Sequence, residues 1–165
     1  ATPPPAKPPV VTPAPPMAAA KLPPGKKGME NFRDPFSPNA AKQSAQSADL
    51  LLKSGRQKLS AGDISAAMVD FKKARDLDAR NAEALAGLGE CAFEQGDYSQ
   101  AAGQLKAAIR LAPKNYRYQV LLGQAYYKLD NFKGALDWCS AVVKVSPGNA
   151  EAKNCAAAAQ RKLGQ

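Results

Sequence analysis

Three groups of residues have types and spacings that could do chemistry. Gly87-Leu88-Gly89-Glu90-Cys91-Ala92 reads as GxGxxA, a spacing that cradles a pyrophosphate when it follows a strand and opens a helix. Asp76 and Asp78 place two carboxylates in one short stretch, the beginning of a hard-cation site if further oxygen ligands converge. Cys91, Cys139 and Cys155 are the three cysteines, and the chain contains no histidine, which removes the common zinc ligand sets. None of the three groups completes a site. No strand precedes Gly87, the Asp pair has no converging ligands, and no Ser or Cys has an activating base. The cysteines lack a CxxC spacing and cannot all pair. They read as small buried hydrophobes in a reducing compartment. An enzyme is not expected, nor is a cofactor or metal, and the cysteine reading places the chain in the cytoplasm.

The elements that position these residues come from a repeat. At an offset of 34 residues, Gly55, Gly89 and Gly123 fall in one column, Ala67, Ala101 and Ala135 in a second, Asp63, Asp97 and Asn131 in a third, and Ile64, Tyr98 and Phe132 in a fourth. A fixed period of this size marks a stack of supersecondary units. Each unit reads as two helices. Ala61-Gly62 ends the first helix, which starts at about Ala40, and Asp63 caps Ile64 to Leu77. Asn81 caps a helix from Ala82 to about Gln95, and Gly96-Asp97 leads into Tyr98 to Leu111. After Pro113 the third pair begins at Asn115, turns at Asp130-Asn131 and ends near Val145. Pro147-Gly148-Asn149 then stops and caps a last helix, Ala150 to Leu163. The predicted fold is all-α, an α-solenoid of antiparallel helix pairs. The small residues of each pair face one another, which accounts for glycine in mid-helix despite its cost of about 1 kcal/mol relative to alanine.

The first quarter differs. Twelve of the fourteen prolines precede Asn39, so residues 1–43 read as a Pro-rich, disordered arm and 44–165 as the folded domain. The arm holds a PxxP at Pro5 to Pro8 and a Pro23-Pro24-Gly25 stretch similar to the PPG core bound by GYF-type adaptor domains. A short segment follows with Met29, Phe32 and the turn-like Asp34-Pro35-Phe36, whose aromatics are out of keeping with a plain linker. The formal charge of +9 is divided between arm and domain, and in the repeats it is interleaved with acids, as on a solvated helical face. No apolar run approaches the length of a membrane span. The opening at Ala1, without an initiator Met or a signal-peptide plan, suggests a piece of a longer chain, and the Ala- and Pro-rich composition suggests a bacterial one.

The 34-residue unit resembles the tetratricopeptide repeat. From Ala82 the matching residues are Leu85, Leu88, Gly89, Tyr98, Ala101, Leu105, Ala108 and Pro113. From Tyr116 they are Leu122, Gly123, Tyr126, Phe132, Ala135 and Pro147, with Cys139 where Phe is commoner and Gln119 where Trp is usual. From Ala48 they are Leu51, Gly55, Ile64, Ala67, Phe71 and Ala74, while Ala79 replaces the proline and Ser54 and Lys58 soften the core. The resemblance implies three repeats, 48–81, 82–115 and 116–149, and a capping helix, 150–163. It also implies a non-enzymatic module, monomeric within a larger assembly protein, that takes a protein or peptide in the concave groove.

Family geometry puts Asp49, Leu52, Arg56 and Leu59 of the first repeat in that groove. The second repeat adds Glu83, Ala86, Glu90, Phe93 and Glu94, the third Arg117, Val120, Gln124, Tyr127 and Lys128, and the last helix Glu151, Asn154 and Arg161. Leu59, Phe93 and Tyr127 share one column and are expected to form an apolar ladder. The subtype that holds acidic chaperone C-termini expects Lys and Asn where Leu52 and Arg56 stand, and Glu90 adds a negative charge, so that specificity is not expected. Three other readings stay open: the Pro-rich arm as ligand of an adaptor, with the repeats as scaffold; a basic surface for nucleic acid or lipid, of which nucleic acid is the less expected; and Phe32 and Phe36 occupying the groove.

Overall fold

The computed structural model describes residues 38–164. The Pro23-Pro24-Gly25 stretch and Phe32, Asp34, Pro35 and Phe36 lie outside the described residues. Within them the chain forms seven α-helices and no strand: α1 (Pro38–Ser60), α2 (Ile64–Leu77), α3 (Ala82–Glu94), α4 (Tyr98–Leu111), α5 (Tyr116–Lys128), α6 (Phe132–Val145) and α7 (Ala150–Leu163). α1 starts two residues earlier than the sequence reading places it and inside the stretch read as arm. Proline at a first helical position explains this, because its missing N–H would have no intrahelical partner there.

Helix starts follow the capping chemistry of the repeat. The side chains of Asp63, Asn81, Asp97, Asn131 and Asn149 each accept a hydrogen bond from the backbone N–H three residues on, satisfying a donor the helix leaves free. Asn115 stands at the same place before α5 without a side-chain cap bond. Inside each pair the link is three residues long and passes through the left-handed region. Gly62 has φ 83°, Gly96 has φ 82°, and Asp130, in the same column, has φ 57°.

Consecutive helices pack on one another, and α3 also touches α1 and α5, while α5 touches α7. The first helices of the pairs therefore lie side by side on one face of an α-solenoid. Close approach within a pair depends on glycine. A Cβ at Gly89 would lie 2.9 Å from Leu105 Cγ and 3.3 Å from the Ala101 carbonyl oxygen, and one at Gly55 would lie 2.9 Å from the Phe71 ring. Phe71 and Leu105, each almost fully buried, fill the space the glycines leave. Cys139 is the third member of that column, and a Cβ at Gly123 would run into its sulfur.

The cysteines correct the reading of three thiols. Cys139 of α6 and Cys155 of α7 form a disulfide, and Cys91 alone is free and buried. Burial, with Glu90 adding to it, pushes the Cys91 thiol up to about 11, which suits an inert core side chain. The softened core of the first repeat also has a structural account. Ser54 Oγ and Lys58 Nζ donate to Asp70 Oδ2 at 2.6 and 2.7 Å, so the polar residues of α1 satisfy a carboxylate that α2 buries.

Candidate functional site

The first-helix face carries two rows of functional interest, one charged and one apolar. In the charged row, Arg56 of α1 pairs with Glu83 of α3 at 2.6 Å, and Arg117 of α5 pairs with Glu90 of α3 at 2.8 Å. Both bridges run between neighbouring repeats. The arginines are more than half exposed, whereas the Glu90 side chain is 15% exposed. Burial raises the Glu90 carboxyl above its ordinary value, and Arg117 and then Arg56 only partly offset this. Tyr118, buried beneath the row, is raised by burial and then by Glu83. These side chains close over a cleft of about 20 Å³, room for little more than a water molecule. The row is self-neutralised.

The apolar row is open at its C-terminal end. Phe93 of α3 faces a cavity of about 310 Å³ together with Gln124, Tyr127 and Lys128 of α5 and Glu151, Asn154, Cys155 and Ala158 of α7. The two aromatic rings are held in place from behind. Phe93 meets Tyr98 edge-on with ring centroids 5.2 Å apart, and Tyr127 meets Phe132 in the same way at 5.3 Å. In both cases the partner is the first residue of the following helix, so the three-residue turn fixes the rotamer of the groove aromatic. Leu59, the first member of the column, is partly buried against the core cluster of the first repeat and does not line the cavity. Two of the three expected rungs thus come together, joined by a wall from α7.

Three residues assigned to the groove are core residues. Leu52 is buried in the cluster built on Phe71 and Leu88, Ala86 in the cluster of Leu105 and Leu122, and Val120 against Val142 and Ala152. They share one column, and that column plugs the seam between one helix pair and the first helix of the next, leaving no surface for a ligand. Asp49, Glu94 and Arg161 are exposed but line neither cavity. What the sequence reading misses is Ala158 and the sulfur of Cys155. The signal is present: Cys139 and Cys155 are 16 residues apart, as are Phe71 and Gly87, and the Phe71 ring lies against Gly87. Facing columns that both carry Cys mark a candidate disulfide.

The remaining chemical candidates have structural roles. Gly87-Leu88-Gly89-Glu90-Cys91-Ala92 lies wholly within α3, its backbone N–H groups committed to the helix. Asp76 pairs with Arg75 at 2.8 Å, and Asp78 accepts from the Arg80 backbone N–H at 3.0 Å. Among the described residues, no group of three or more His, Cys, Asp and Glu could hold a metal ion, and no helix is long and apolar enough to cross a membrane.

Comparison with known proteins agrees with this geometry. Two tetratricopeptide repeat models match, one over residues 92–150 and one over 58–106. A search of curated protein sequences returned no match. Among solved structures, the chain is similar to the first TPR domain of Spaghetti (RPAP3) bound to an HSP90 peptide, at 21% identity and a TM-score of 0.71, covering 73% of this chain and 96% of that one. It is similar to the Arabidopsis OM64 TPR domain at 18% identity and a TM-score of 0.69, covering 72% and 98%. YrrB, described as a TPR protein with an unusual peptide-binding site, gives 23% identity and a TM-score of 0.63, covering 72% and 61%. With the two models spanning residues 58–150, more than half of the chain, and the helix pairs repeating at 34 residues, the protein belongs to the tetratricopeptide repeat family.

Proposed function

We propose that this chain is a non-enzymatic protein-protein interaction module that seats a peptide or partner segment on the first-helix face, with its main anchor in the cavity between Phe93, Tyr127 and α7. The observation that carries this reading is the cavity itself: about 310 Å³, walled by two aromatics of one repeat column. A pocket of that size takes one large apolar side chain. Similar folds support it, since the RPAP3 domains are described with HSP90 and HSP70 peptides bound. The chemistry of the peptide differs here. Arg56 and Arg117 are already paired with Glu83 and Glu90, so the floor has no free cationic clamp for an acidic tail, and Lys128 and Glu151 at the cavity balance one another. An apolar or aromatic anchor with a near-neutral flank fits best.

The module is read as part of a larger assembly protein, with the residues before α1 as its tether. The expectation of a cytoplasmic chain rests on three thiols. With Cys139 paired to Cys155, an oxidising compartment suits the chain better.

The test uses peptides selected on the chain from a random display library. Phe93→Ala with Tyr127→Ala is expected to weaken a selected peptide by about tenfold or more, the scale of a lost anchor, with helical circular dichroism retained. Unchanged affinity would move the site to the opposite face or to the arm.

A further inference from the structure

α7 is the wall of the cavity with the least behind it. Every other second-helix-to-first-helix junction is filled by bulk at facing positions 16 residues apart. Phe71 of α2 lies against Gly87 of α3, and Leu105 of α4 shares one apolar cluster with Leu121 of α5. At the α6–α7 junction the facing pair is Cys139 and Cys155, joined by a covalent bond beside the small apolar cluster of Val120, Val142 and Ala152. The fully buried side chains of α7 are Ala152 and Ala159, which fill little volume. Gly123 of α5 completes the junction, with a Cβ there 3.2 Å from Cys155 Sγ. The bond therefore sits where α5, α6 and α7 meet. Its two sulfurs are not equivalent: Cys139 is fully buried, while Cys155 is 9% exposed and lines the cavity.

We propose that the Cys139–Cys155 disulfide is a redox latch on the anchor cavity, which binds its peptide when the bond is closed and loses that ability when a dithiol reductant opens it. The proposal rests on the peptide-binding reading of the cavity. The reductant's thiolate attacks Cys155 Sγ through the cavity mouth, and Cys139 Sγ leaves as a thiolate and takes up a proton. The mixed disulfide on Cys155 is resolved by the reductant's second thiol, which closes the reductant's own disulfide and frees the Cys155 thiol. Two electrons and two protons pass from the dithiol to the protein, and no other partner is needed. Two thiols cannot share the space of one S–S bond beside Gly123, so α7 moves away from α6 and carries Glu151, Asn154 and Ala158 with it.

Coupling between the bond and the peptide runs both ways. If opening the bond weakens the peptide by some factor, the peptide disfavours opening by the same factor. A seated peptide also blocks the approach.

The experiment uses the full chain and a display-selected peptide whose binding requires Phe93 and Tyr127. Affinity is measured on the oxidised chain, on the chain reduced with dithiothreitol, and on the Cys139→Ala/Cys155→Ala variant. Opening is followed by alkylation and mass spectrometry, with buried Cys91 silent in the folded chain. The expected result is a loss of about tenfold or more, within the usual range of coupling between sites, in both the reduced chain and the variant, and a rise by the same factor in the ratio of reduced to oxidised dithiothreitol needed to open the bond under saturating peptide. Equal affinity in oxidised and reduced chains would overturn the latch while leaving the site intact. Absence of any Phe93- and Tyr127-dependent peptide on the oxidised chain would overturn the site and the latch with it. Loss of helical circular dichroism across the chain on reduction would make the bond a staple for the whole fold, and that too overturns the proposal.

Discussion

Asp70 and Glu90 show how one kind of side chain takes opposite roles in two settings. Asp70 is buried in the first repeat, and the hydrogen bonds from Lys58 and then Ser54 hold its carboxyl below the ordinary value of 3.8. A folded-state value below the unfolded one stabilises the fold above the unfolded pKa, and that contribution disappears as pH falls through the lowered value. Asp70→Asn keeps an acceptor for Ser54 but loses the charge. It is expected to cost about 1–2 kcal/mol at neutral pH, the low end for charge-assisted bonds because Lys58 is 39% exposed and solvent screens the pair. The gap to the parent closes below pH 3.8. Glu90 has the reverse sign. Its carboxyl is raised above 4.5 by burial, so its protonated form favours the fold below 4.5 and that advantage is lost as pH rises through the raised value. Glu90→Gln mimics the protonated form and leaves an Arg117 that is 59% exposed. It is therefore expected to match or exceed the parent in stability at neutral pH, the difference vanishing in acid. Urea unfolding of both variants at about pH 7 and pH 3 reads the two signs. Parallel behaviour would mean that burial does not outweigh the Arg117 pair.

The turn column inside each pair ties sequence to element in the same direct way. Gly62 and Gly96 adopt φ near 80°, and Asp130 holds the left-handed region at φ 57° with a side chain attached, which is disfavoured for an L residue. Asp130→Gly is expected to raise stability by about 0.5–1 kcal/mol, the steric relief being partly offset by greater freedom of the unfolded chain. Gly96→Ala is expected to lose about 1 kcal/mol. Thermal unfolding of the two variants should shift in opposite directions. These turns are legible in the amino-acid sequence because three copies of a local signal reinforce one another, and α2, α4 and α7 start where their Asp and Asn caps put them. The groove is less legible. Leu52, Ala86 and Val120 lie on the helix face that family columns assign to ligands, yet they are buried, because a first helix must seal against the next repeat as well as face outward. The disulfide escapes a reading of the columns for a related reason: one cysteine stands in a second-helix column and the other in a first-helix column, so only the junction between repeats brings them together.

At the scale of the whole molecule, an array of this kind opens from its ends, because each helix pair is stabilised chiefly by its neighbours. α3, α4 and α5 are covered on both sides along the array, whereas among the described helices α7 is held by α5 and α6 alone. Closing a loop of 16 residues contributes about 3 kcal/mol in the chain-entropy account. In a fold that opened all at once, every amide would feel that contribution. In an array it falls on the terminal opening that the bond resists. Hydrogen exchange should therefore find the slowest amides in α3 to α5. Reduction with dithiothreitol should speed exchange in α7 and the adjoining turn of α6 by about 100-fold, the factor equivalent to about 3 kcal/mol, while leaving α2 to α4 unchanged. A uniform acceleration would show that the repeats open as one cooperative unit, and the cavity wall would then not move independently of the helices that carry Phe93 and Tyr127.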